Sequence, residues 1–178
     1  MINQINGKEI VFLVAPSGVE HTELVATWTA VREAGGTPVL VSTSREPVVT
    51  AKETFFVDRL AGDLIASDYA ALVLPGGGEN SFLLRGNAEA VRLVGDFVTA
   101  GKPVAAIAHG VGILVDAGVL AGKVATSWPD LAQEIVDAGA RWSDQDVQVC
   151  PDHGWMLVTG QTTLVLPEFV EAMVTAFI

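Results

Sequence analysis

The chain has a single cysteine, Cys150, a single tyrosine, and only ten lysines and arginines among its 178 residues. One thiol cannot close an internal disulfide, and sparse cysteine fits a reducing compartment, so a cytoplasmic protein is expected. The few cations stand against 21 acids and leave a formal charge of -11. Proteins that bind a phosphate backbone gather Lys and Arg on one face, so this balance argues against a nucleic-acid partner. Mean hydropathy is +0.44, yet no apolar run crosses a bilayer's thickness without Gly, Pro or charge, so no membrane association is expected. The polar start Met1-Ile2-Asn3-Gln4 has neither the basic nor the apolar part of a signal peptide.

What the chain does have is apolar residues, half of the total, arranged in short runs. Ile10 to Val14, Val39 to Val41, Ala70 to Leu74 and Pro103 to Ile107 read as buried strands. Between them, Leu24, Trp28 and Val31, and later Val91, Val94 and Val98, recur at helical spacing. Phe55-Phe56-Val57 predicts an edge strand or hairpin. Ile113 to Val115 predicts a short helix, and Leu131 and Ile135 a further one. Val147 to Val149 and Met156 to Val158 predict a strand pair around Pro151-Asp152-His153-Gly154. Phe169, Met173 and Phe177 mark one side of a last helix. Strands separated by helices need crossover connections, which favours a mainly parallel sheet covered on both faces. The expected architecture is one domain, residues 1–178, folded as a three-layer α/β/α sandwich of flavodoxin-like type.

In such a sheet, ligands bind beyond the carboxyl ends of the strands. Three unusual segments fall there: Ser17 to Glu23, Pro75-Gly76-Gly77-Gly78, and Ala108-His109-Gly110. The last has the shape of a strand-turn-helix elbow, the device that elsewhere lifts a strained Ser or Cys to solvent. Here the position holds alanine, which cannot attack anything. The glycine segment offers backbone N–H groups to an oxyanion or anion, or simply turns the chain. It is not a phosphate loop, because Pro-Gly-Gly-Gly-Glu-Asn-Ser lacks the Lys and Ser/Thr that finish one. Cys150 and His153 have the spacing of two metal ligands, but a tetrahedral site needs more, so a hairpin turn is the better reading and no metal or other cofactor is expected. Ser17, Ser81 and Ser127 are possible substitute nucleophiles, none at the elbow, and serines beside glycines and helix starts are ordinarily caps. His21, beside Glu20 and Glu23, is expected either to line the pocket mouth or to sit exposed, and exposure is the favoured reading.

The motifs taken in order, Val19-Glu20-His21-Thr22-Glu23-Leu24, LPGGG from Leu74, KPVAAIAHG from Lys102, AGVL from Ala117, TSWPDL from Thr126 and AGARW from Ala138, resemble the ThiJ/PfpI family. That superfamily includes PfpI-type intracellular proteases, the parkinsonism-associated deglycase and related glyoxalases, on a class I glutamine amidotransferase-like fold. The resemblance implies that Ala108 stands where the family has its cysteine. It implies that Glu23 is the carboxylate set against the sulfur, that Gly77 donates an N–H to the oxyanion pocket, and that the N–H of His109 completes it. Gly78 and Glu79 would border the same pocket, Glu79 as the acid some members supply across a subunit boundary. A homodimer or larger homo-oligomer is implied as well. Where the family often reads Thr-Ser-Arg-x-Pro-Asp-Asp-Leu-Pro, this chain has Thr159-Gly160-Gln161-Thr162-Thr163-Leu164-Val165-Leu166-Pro167.

Covalent cysteine catalysis is therefore excluded for this sequence. Two functional classes follow. One is a stress-related module that binds a small metabolite non-covalently or acts as a scaffold. The other is an inactive Cys-to-Ala form of a cysteine hydrolase or glyoxalase/deglycase. The departures at Gln161 to Val165 favour natural divergence over a single replacement.

Overall fold

The structure, a computed structural model, describes residues 4–178; Met1 to Asn3, most of the polar start, lie outside the described residues. Strand β1 (Glu9–Leu13) leads into helix α1 (His21–Glu33) and then β2 (Thr37–Ser42). A hairpin follows, β3 (Val48–Val49) with β4 (Thr54–Phe55), and then β5 (Arg59–Leu60). Next come β6 (Ala71–Leu74), α2 (Gly78–Arg85), α3 (Ala88–Thr99), β7 (Val104–Ile107) and the short α4 (Gly112–Asp116). The chain closes with β8 (Val124–Ala125), α5 (Ala132–Asp137), β9 (Arg141–Trp142), β10 (Val147–Cys150), β11 (Leu157–Gly160) and α6 (Leu166–Ala176).

Seven strands form one sheet in the order β10-β11-β7-β6-β1-β2-β5, parallel throughout except for β10. The strand pleat sorts the apolar runs into two cores. Ile10, Phe12, Val73, Ala105 and Ile107 pack with Leu24 and Val31 of α1 and with Phe169, Met173 and Phe177 of α6. Val11, Leu13, Leu72, Leu74, Val104 and Ala106 pack on the other face with Leu93 and Phe97 of α3 and Leu114 of α4. Because both faces are covered, the central strands are apolar without alternation. The sandwich is therefore the expected one. Among the described residues no helix is long and apolar enough to cross a membrane.

Three details differ from expectation. The expected hairpin at Phe55 is present but takes only part of the run: Phe55 pairs with Val48, Phe56 points to solvent, and the sheet edge is formed by Arg59–Leu60 against Val41–Ser42. Helix α2 leaves no helical signature in the sequence, because it turns Asn80, Ser81 and Leu84 inward and Phe82 and Leu83 outward, which inverts the usual pattern. The small parallel pair β8–β9 is too short to leave a periodic signal.

Lys123 is fully enclosed, at 1 % exposure. Its ammonium donates to the carbonyls of Cys150, Asp152 and Trp155 at 3.1, 2.5 and 2.7 Å and lies 4.3 Å from the centroid of the Trp155 ring. All three donors are used, so one side chain fastens the turn between β10 and β11. Replacing Lys123 with Ala removes the donor to all three carbonyls, those of Cys150 and Trp155 being buried, and leaves a cavity. Urea unfolding should show a loss of about 3–5 kcal/mol.

Candidate functional site

Strand order reverses between β1 and β6, so the loops that follow β1, β6 and β7 meet at the carboxyl edge of the sheet. Asn80 binds two of them together. Its Oδ1 accepts from Ala15 N at 2.7 Å and its amide donates to the carbonyls of Pro75 and Gly76. Glu20 N donates to Gly76 O at 3.0 Å, a second tie between the same loops. Gly77 adopts φ 102°, and a Cβ there would collide with the carbonyl of Gly18, so this crossing requires glycine.

Ala108 follows directly from β7. Ile107 is extended at φ -129°, Ala108 turns to φ 54°, and a 3-10 turn runs on into α4. The left-handed region costs a residue with a Cβ roughly 1–2 kcal/mol, so the elbow keeps its strain although its side chain is only a methyl. Trp128 N donates to Ala108 O at 3.2 Å and holds the turn from outside.

Glu23 lies in the first turn of α1 but does not cap it. That role falls to Glu20, whose carboxylate accepts from Glu23 N at 2.7 Å. The Glu23 carboxyl is turned inward at 1 % residue exposure, with Oε2 accepting from Gly76 N at 2.7 Å and Oε1 accepting from Thr163 Oγ1 at 2.8 Å. Gly76 is the hinge of this contact. A Cβ added there would overlap Glu23 Oε2 and lie 3.3 Å from the Ala108 methyl, so carboxyl and methyl flank the same backbone. Burial pushes the Glu23 carboxyl up from 4.5 to about 7, against the pull of the Thr163 and Gly76 donors and with a smaller push from the charge of Glu20.

His109 is half-buried and stacks on Trp128, ring centroids 5.0 Å apart and planes 22° from parallel. Burial lowers its pKa, which Asp130 partly opposes, and so favours the neutral imidazole. Gly78 and Glu79 open α2, and the Glu79 side chain folds over Gly18. A groove of about 560 Å³ runs from Gly78, Ser81 and Phe82 past Arg85 to His109 and Leu131. Arg85 is already paired with Asp116 and Glu134, at 2.5 Å each.

His21 corrects an expectation. Its side chain is 15 % exposed rather than free, with Nδ1 2.9 Å from Thr50 Oγ1, so it fixes the β3–β4 hairpin to α1. The three serines have local duties. Ser127 Oγ donates to Trp128 O and accepts from Trp142 Nε1, Ser81 is buried beside Gly112, and the backbone of Ser17 bridges to Val49. Cys150 Sγ accepts from Val124 N at 3.4 Å, while His153, at φ 63°, lays its ring against Gly122. Sequence reasoning placed Gly76 in the glycine segment without pairing it to Glu23, and it missed Thr163 as a contact of that carboxyl. The one signal for Thr163 is that it lies within Gln161 to Val165, where the chain departs from the family pattern.

An elbow at the switch point, a buried glutamate beside it and a Pro-Gly-Gly-Gly loop define a class, and comparison with known proteins gives the same one. Residues 8–176 match the DJ-1/PfpI family, and the chain belongs to it. It is 34 % identical over 167 residues to a deglycase of Pyrococcus abyssi, covering 92 % of this chain and 98 % of that one. It is 32 % identical to protein/nucleic acid deglycase 2 of Escherichia coli, covering 91 % and 93 %. Among solved structures, a two-domain protein of Anabaena variabilis with DJ-1/ThiJ/PfpI-like and ferritin-like domains superposes with a TM-score of 0.87 at 28 % identity, covering 94 % of this chain and 47 % of that one.

Two outcomes are expected. Ala108→Gly relieves the elbow and should raise stability by roughly 0.5–1 kcal/mol in chemical denaturation. Glu23 has a folded pKa above its unfolded value, so its contribution is complete below about 4.5 and is lost as pH rises through about 7. Unfolding free energy should therefore fall by up to about 3 kcal/mol over that interval through this group, and Glu23→Gln should flatten that part of the profile.

Proposed function

We propose that this protein is a non-covalent member of the DJ-1/PfpI family, with a pocket at the elbow that receives a small carbonyl or anionic metabolite without forming a bond to it. The single observation carrying this reading is the methyl of Ala108 held at φ 54° beside the carboxyl of Glu23. A family cysteine would form its covalent adduct at that atom; a methyl forms none. In this reading the backbone N–H groups of Gly77 and His109 bind the ligand's oxygen, Glu23 binds a hydroxyl or shares a proton with it, and Gly78 and Glu79 border the opening. His109, its neutral form favoured by burial, contributes through its backbone and its stack on Trp128 rather than as a cation. No cofactor enters the scheme. A stress-related, cytoplasmic role is proposed with it.

The second reading, a silenced cysteine enzyme, is favoured by Glu23 itself, whose pKa of about 7 suits partnership with a thiol. We also propose a homodimer through the α2 face. Phe82, 77 % exposed, projects beside the groove that ends at His109, and a knob and a hollow on one face suit a two-fold contact.

Methylglyoxal consumption, a test suggested by the deglycase relatives, separates the readings. The Ala108 protein should show no turnover above background. Ala108→Cys should gain measurable turnover or a rapidly alkylated thiol if the pocket is otherwise that of a cysteine enzyme. Robust turnover by the Ala108 protein that persists after His109→Ala would overturn the assigned site.

A further inference from the structure

The residues offered to a ligand are closed off: Ala108 is 3 % exposed and Glu23 1 %. Above the Glu23 carboxyl sits the segment Gln161 to Val165, which leaves β11 and turns through a 3-10 helix at Thr163–Val165 into α6. Thr163 Oγ1 is its polar anchor on Glu23. Val165 at its end is buried, at 7 % exposure, while Leu164, next to the anchor, is 90 % exposed. Gln161 is held at the sheet edge, its side chain donating to Asp144 and its N–H to Asp146 O. Displacing so short a turn costs the Thr163 bond and the burial of Val165, and it stays local.

We propose that Thr163–Val165 is a strap closed over the Glu23 carboxyl beside Ala108, and that its opening is coupled to release of a proton from Glu23, so that the site opens more often as pH rises through neutrality. The coupling follows from hydration. Closed, the carboxyl is surrounded by protein, and burial outweighs the Thr163 donor, which by itself favours the ionised form; open, the carboxyl exchanges that donor for water and loses the penalty of burial. Charge plays the smaller part. Glu20 on α1 adds a weaker push in the same direction as burial, His21 is engaged with Thr50 and Glu53, and Glu79 of α2 lies over Gly18. His109 at the elbow is turned onto Trp128, and the segment Gln161 to Val165, which contains the strap, has no ionisable side chain.

Opening would expose the Gly76 N–H that now donates to Glu23, so hydrogen exchange of that amide reads the strap. Exchange followed by NMR, corrected for the intrinsic pH dependence, is expected to show Gly76 protection falling about 30-fold between about pH 5.5 and 8.5, the ratio for a carboxyl with pKa 7 closed and 4.5 hydrated. Core amides such as Val11 and Val73 report global unfolding alongside. Thr163→Val should lower Gly76 protection at every pH while leaving the core amides protected, Thr163→Ser should restore it, and Glu23→Gln should make it independent of pH. A flat wild-type profile, or a Thr163→Val protein with unchanged Gly76 protection, contradicts the strap. The same slope in Glu23→Gln contradicts the assignment of the proton. If Glu23→Gln does not fold, the threonine pair still decides. No ligand is present in the measurement, so its outcome is independent of whether a metabolite binds.

Discussion

The Glu23 carboxyl joins parts of the chain that the sequence keeps far apart. It extends from the first turn of α1, takes an N–H from the loop after β6, and takes a hydroxyl from the turn before α6. Each bond is short, and together they hold the carboxyl against the backbone that also flanks Ala108. Enclosing a carboxyl is costly when it ionises, and the fold accepts that cost with only two donors to offset it. The carboxyl consequently sits between protonation states near neutral pH. Through this one group the β6 loop and the turn before α6 are both tied to the first turn of α1, beside the elbow.

The elbow has a different physical basis. Its left-handed turn is set by β7 entering a short helix and by the bond from Trp128 N to Ala108 O, not by the residue that occupies it. An ordinary turn would place glycine there, because glycine adopts that conformation freely. A strained backbone around a methyl is a conformation that the surrounding structure imposes on the residue. Membership in the DJ-1/PfpI family accounts for the scaffold, and a methyl at Ala108 can form no covalent adduct there.

The sandwich is legible in the sequence because buried parallel strands are continuous apolar runs and the helices between them keep a helical period. The same logic places Ala108, Glu23 and the glycine loop at one edge, since in a doubly wound sheet only that edge gathers them. It fails where local pattern and burial part company. Helix α2 points Phe82 and Leu83 outward and Asn80 inward, because Asn80 is needed to pair with the backbone of Ala15, Pro75 and Gly76. Lys123 has the chemistry of a surface cation and is instead the clasp of a turn. Thr163 could not be found from spacing, since its partner is 140 residues away and nothing local distinguishes its hydroxyl from its neighbour's.

The elbow's surroundings, the strap and the pH dependence all turn on the protonation state of one carboxyl. A ¹³C NMR titration of the Glu23 side chain in the folded protein measures it directly. The account predicts a midpoint near 7; a midpoint near 4.5, the value of a carboxyl in water, would contradict it.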